Sequence, residues 1–140
     1  MIFLYFNFRY FYHKTPLFFQ VVLFYNLTPE KEKIIRTLCE KLSVRAITVP
    51  RSRHGCTVGE ALRGEGADRP ALRPFTEEML VLSLPGILMD FFLQGLQREG
   101  AEVALKAAIT PTNVAWTADA LVRELHRERQ EFLQEMSRKR

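Results

Sequence analysis

The segment Arg51-Ser52-Arg53-His54-Gly55-Cys56 is where reactive chemistry is most concentrated in this chain. Cationic neighbours stabilise a thiolate, so Cys56 is a candidate reactive thiol; the competing reading is a loop cysteine with no role. The same loop suggests an anion site. The free N–H groups of a helix beginning at Thr28 would face Arg51, Arg53 and Arg63, a set suited to phosphate or carboxylate. The bland alternative is that these arginines keep a loop solvated. A glycine-rich phosphate fingerprint and a Walker lysine are both missing. Metal is not expected. His54 and Cys56 are close in sequence, but His13 and His126 lie far away and no Cys-x-x-Cys or His-Glu-x-x-His spacing occurs. Glu77 and Glu78 could be read as paired carboxylates, yet neighbours in extended chain point to opposite faces. No catalytic residue and no cofactor are therefore expected.

These residues must be positioned by a modest frame. A chain of 140 residues fits one domain, and 47% hydrophobic with 26% charged residues is an ordinary globular composition. The two cysteines, Cys39 and Cys56, make no disulfide framework, so a reducing cytoplasmic location is expected. The net charge is +4, and without residues 1–21 it falls to +2, too little to argue for nucleic acid.

Residues 1–21 differ from everything downstream: 11 of the 16 aromatic residues fall at or before Tyr25. Asn7, Arg9, His13, Lys14 and Pro16 interrupt any membrane span, and no small-residue cleavage pattern follows. The leading expectation is a non-native leader from a mis-called start, with Val21 or Val22 as the true beginning. An extra strand or interfacial segment, and a true span, are the alternatives. The remaining chain divides into residues 22–116, the domain proper, and 117–140, a C-terminal helix with a solvent-exposed end.

Val21 to Tyr25 reads as a buried strand. Thr28-Pro29-Glu30 starts a helix with a cap, a proline in its first turn and acids at its positive end. Ile34, Ile35, Leu38 and Leu42 supply its apolar face, and Val44–Val49 is a second strand stopped by Pro50. Residues 50–74 are irregular apart from a capping box, Thr57 with Glu60, on a short helix ending at Gly64. Met79–Leu84 is a third strand. Ile87, Leu88, Phe91, Phe92 and Leu96 mark an apolar helix closed by Gly100, and Leu105–Ile109 is a fourth strand. Asn113 is suited to an Asx turn, and Trp116 to plugging the last helix against the sheet. Thr117 caps that helix, whose apolar stripe is Leu121, Val122, Leu125, Phe132 and Met136, with arginines and glutamates paired on the other face. The expected fold is α+β, an α/β sandwich built from a duplicated β-α-β unit. The preferred topology is a ferredoxin-like split β-α-β sheet with helices on one face and an extra C-terminal helix. The rival is a four-stranded parallel sheet with helices on both faces.

LTPEK at 27–31, FTEEMLVL at 75–82 and LKAAITPTNVAWT at 105–117 together resemble a family of small bacterial proteins catalogued as domain of unknown function 3783. The likeness runs from about Val22 into the last helix and omits the aromatic leader. It implies domain limits and no activity.

Three function classes follow. The leading one is a non-enzymatic regulatory or protein-interaction module, with a homodimer or protein partner through the last helix and an anionic metabolite at the 50–73 loop. An RNA-binding domain would need aromatic residues on both central strands, and the third strand has none, so nucleic acid is not expected. An enzyme using Cys56 lacks a positioned base. No membrane partner is expected.

Overall fold

Five consecutive apolar residues, Val21–Tyr25, form β2, and Met79–Ser83 form β4; both strands are buried along their whole length. Side chains alternate across a strand, so burial of every position requires cover on both faces of the sheet. The computed structural model describes residues 2–4, by backbone alone, and 20–139. Its elements are β1 (Ile2–Leu4), β2, α1 (Pro29–Lys41), β3 (Arg45–Thr48), a 3-10 turn (Arg51–Arg53), α2 (Val58–Arg63), β4, α3 (Gly86–Arg98), β5 (Leu105–Ala108), a second 3-10 turn (Asn113–Ala115) and α4 (Ala118–Arg138).

The strands form one mixed sheet in the order β1-β5-β4-β2-β3. β2 and β4 are antiparallel at the centre, with Leu23 opposite Val81. β3 runs parallel beside β2, β5 parallel beside β4, and β1 parallel beside β5 at the edge. The fold is α+β, and the β-α-β unit is duplicated.

The split arrangement is corrected. Each β-α-β unit closes onto adjacent strands, so nothing is inserted between β2 and β3 or between β4 and β5. The all-parallel rival fails at the antiparallel β2–β4 pair. The helices also cover both faces. α1 and α3 bury Ile35, Leu38, Cys39, Met89, Phe92 and Leu96 against Val22, Phe24, Leu80 and Leu82. On the opposite face, α2 and α4 bury Val58, Leu62, Leu121 and Leu125 against Leu23, Tyr25, Val81 and Ala107. The unbroken apolar runs of β2 and β4 were the sequence sign of this, since a one-faced sheet calls for alternation.

The duplication extends past the strands. Each half ends in a 3-10 turn followed by a threonine and a helix: Thr57 before α2 and Thr117 before α4. These two threonines meet in an antiparallel bridge, and the Val58 amide donates to the Trp116 carbonyl at 2.8 Å. The two halves are thus joined at equivalent positions. Gly95 lets α1 and α3 pack closely, because a Cβ there would lie 2.6 Å from a Leu38 methyl carbon. Of the aromatic leader, residues 2–4 form β1 and Val21 opens β2, while Met1 and residues 5–19 lie outside the described residues.

Candidate functional site

The loop after β3 is tied down by its own backbone. The Gly55 amide donates to the Arg69 carbonyl at 2.6 Å, and Arg53 donates to the Glu65 carbonyl and, at 3.1 Å, to that of Gly66. The approach is close enough to require glycine: a Cβ on Gly55 would sit 2.4 Å from the Pro70 carbonyl oxygen. Thr57 and Glu60 form the expected capping box, with Thr57 N–H donating to Glu60 at 2.8 Å. Gly64 ends α2 in the left-handed region (φ +67°), which costs glycine little. His54 is buried beneath this loop. It stacks on Phe75 with ring centroids 4.9 Å apart, lies 5.3 Å from Tyr25, and its Nε2 donates to the Val49 carbonyl at 3.1 Å. Burial holds the His54 pKa below the usual imidazole range. The Tyr25 pKa is raised, also by burial first and by the neighbouring Cys56 second.

Cys56 is 2% exposed, and its thiol donates to the Ala67 carbonyl at 3.2 Å. The other cysteine, Cys39, is buried in the sheet core, and burial pushes its thiol up to about 12.

Thr28 caps α1 as the sequence implies, accepting from the Lys31 amide at 3.3 Å. The anion at this helix start comes from the chain itself. Glu78 accepts from the Thr28 amide at 3.2 Å and from Lys31 Nζ at 2.7 Å. Arg51 reaches Asn26, two residues before Thr28, at 3.4 Å. Arg53 and Arg63 are drawn instead to the loop around Glu65, with Arg63 Nε 3.2 Å from its carboxylate. Glu77 and Glu78 do diverge: Glu77 Oε2 lies 2.5 Å from His126 Nε2 on α4, on the face opposite Glu78. Glu77 therefore titrates below the usual carboxylate range, held there first by the His126 hydrogen bond.

The connection into α4 is built around Asn113. Its side chain accepts from the Thr110 amide at 2.9 Å and donates to the Ala108 carbonyl at 3.0 Å, while its own amide donates to Thr110 Oγ1 at 2.9 Å. Trp116 is partly buried against the core, as anticipated. The Thr117 side chain makes no cap hydrogen bond, and the residue instead pairs with Thr57.

α4 has 21 residues, a length of about 31 Å. Only its first turns are anchored, through Ala118, Leu121, Val122 and Leu125, and every residue from Arg129 to Lys139 is exposed. Phe132 is 55%, Leu133 55% and Met136 49% exposed, although the sequence stripe placed Phe132 and Met136 with the core residues. The stripe therefore continues past the edge of the domain. Arg127 pairs with Glu124 and Glu131, whereas Arg129 and Glu135 make no ion pair among the described residues. Sequence periodicity could not mark where the support ends, because it reports the face of a helix and not its surroundings. A second exposed apolar pair, Ile87 and Phe91, lies on α3.

Among the described residues no helix is long and apolar enough to cross a membrane, and no group of three or more potential metal ligands occurs. No curated protein and no solved structure matches the chain. Residues 78–132, the second β-α-β unit with most of α4, match the model of a family described as a domain of unknown function, DUF3783.

Proposed function

We propose that this chain is a protein-interaction module that self-associates through the free end of α4. The observation that carries the reading is the exposure of Phe132, Leu133 and Met136 on a helix that outruns its own domain. Large apolar side chains grouped beyond a supporting core mark an association surface. The occupant is a second copy, argued from charge. Arg129 and Glu135 stand three residues either side of Phe132 and have no ion-pair partner among the described residues. An antiparallel crossing of two such helices at Phe132 sets Arg129 of each against Glu135 of the other, a self-complementary isologous contact.

The patch is small, so the dimer is of the weak class, with Kd on the order of micromolar or weaker. Sedimentation equilibrium of the full chain tests this. The expected result is a concentration-dependent shift from 16.3 kDa toward twice that mass. Phe132→Glu abolishes the shift, Arg129→Glu weakens it, and Arg129→Glu combined with Glu135→Arg restores it. A chain that stays monomeric at high micromolar concentration overturns the proposal.

A further inference from the structure

Where the long loop rejoins the sheet, Arg73–Glu77 runs beside the first two turns of α4 and leaves a cleft of about 280 Å³. Its apolar lining is the buried Phe75 and Val122 with the exposed Pro74. Its polar wall is closed on one side by the Glu77–His126 pair. Two further charges line it: Asp119, 6% exposed, and Arg123, one helical turn later. Neither makes a side-chain hydrogen bond or ion pair among the described residues, with each other or with any neighbour. Residues four apart on a helix face the same way, with Cβ atoms about 6 Å apart. The cleft thus offers an acid and an arginine side by side above an apolar surface.

We infer that this cleft binds a free α-amino acid with an apolar side chain, its ammonium on Asp119, its carboxylate on Arg123 with Arg73 at the rim, and its side chain against Phe75 and Val122. Size supports the class. Pockets for drug-sized ligands begin at about 300 Å³, so the space suits one amino acid and not a nucleotide or a peptide. Charge supports it too. An acid at the start of α4 and an arginine one turn later, with Arg73 at the rim, offer a partner to each end of a zwitterion, whereas a ligand with a single charge uses only one of them. The site is separate from the free end of α4, so it stands whether or not that end dimerises.

The test is titration of the full chain with L-leucine and L-phenylalanine, followed by the amide resonances of residues 73–77 and 119–126. Saturable binding at millimolar concentration or below is expected. N-acetyl-leucine and leucinamide, which each lack one charge, bind about tenfold more weakly, as expected for loss of one charged hydrogen bond. Arg123→Gln, at an exposed position that does not disturb folding, weakens leucine about tenfold while leaving leucinamide unchanged. Asp119→Asn does the converse, weakening leucine and sparing N-acetyl-leucine. No saturable binding of either amino acid, or equal binding of leucine and N-acetyl-leucine, overturns the inference. Retained leucine binding in both variants overturns it as well.

Discussion

Gly55→Ala probes what holds the arginine-bearing loop on the domain. Gly55 is not in the left-handed region, so the penalty is one of space and not of backbone conformation. The new methyl would lie 2.4 Å from the Pro70 carbonyl oxygen and 2.6 Å from that of Arg69. Ordinary contact starts near 3.4 Å, so the 69–70 segment must retreat by about 1 Å, and both obstructions are backbone atoms that cannot swing aside. That retreat breaks the Gly55–Arg69 hydrogen bond of 2.6 Å and strains the Cys56–Ala67 contact two residues further back. A lost hydrogen bond of about 1 kcal/mol and a similar overpacking term give a destabilisation of about 2 kcal/mol. For a domain of this size that lowers Tm by roughly 6–8 °C. Thermal unfolding followed by circular dichroism measures it, and limited proteolysis after Arg63 or Glu65 reports the loop, where cleavage should accelerate. A variant that melts within about 1 °C of the parent and is cut at the parent's rate would refute the reasoning, because the close approach at Gly55 would then not hold the loop.

The remaining expectations concern groups buried elsewhere. Burial lowers the His54 pKa in the fold, so as pH falls the unfolded chain takes up this proton before the folded one does. Its contribution is complete above an unfolded pKa of about 6.5 and is lost as pH falls below that, with a slope of at most about 1.4 kcal/mol per unit. His54→Phe should flatten that part of a urea-denaturation pH profile, and an unchanged slope would exclude His54 as its source. Asn113→Ala removes two side-chain hydrogen bonds and leaves the Thr110 amide and the Ala108 carbonyl without them, so chemical denaturation should show a loss of about 2–3 kcal/mol. A loss below about 0.5 kcal/mol would mean that water replaces the side chain.

The elements were legible in the sequence because their ends carry local chemistry. Thr28-Pro29, the Thr57–Glu60 box, Gly64 and Gly100 act within one helical turn of themselves, and each stands where its spacing put it. Strand order is different in kind. A β-α-β unit can close onto the neighbouring strand or leave a gap, and the local residues are the same in either case. Only the unbroken apolar runs Val21–Tyr25 and Met79–Ser83 carried the information that both faces are covered. The arginine site was less legible, since side-chain partners come from distant segments. Glu78 is 50 residues from Thr28 and takes the helix start, and Glu65 draws Arg63 into the loop. The cleft beside Asp119 and Arg123 had a readable half, the i,i+4 pair on one helix face. Its other half, Phe75 and Glu77, arrives through the fold.

Disulfide trapping across the free ends of α4 tests self-association most directly, because Cys39 and Cys56 are buried and stay silent. An equimolar mixture of Arg129→Cys and Glu135→Cys chains should form the mixed dimer much faster than either chain alone, and faster than Gln134→Cys, which is on the side of the helix away from Phe132, Leu133 and Met136. Cross-linking no faster than that control, or Arg129→Cys joining chiefly to itself, would contradict an antiparallel contact centred on Phe132.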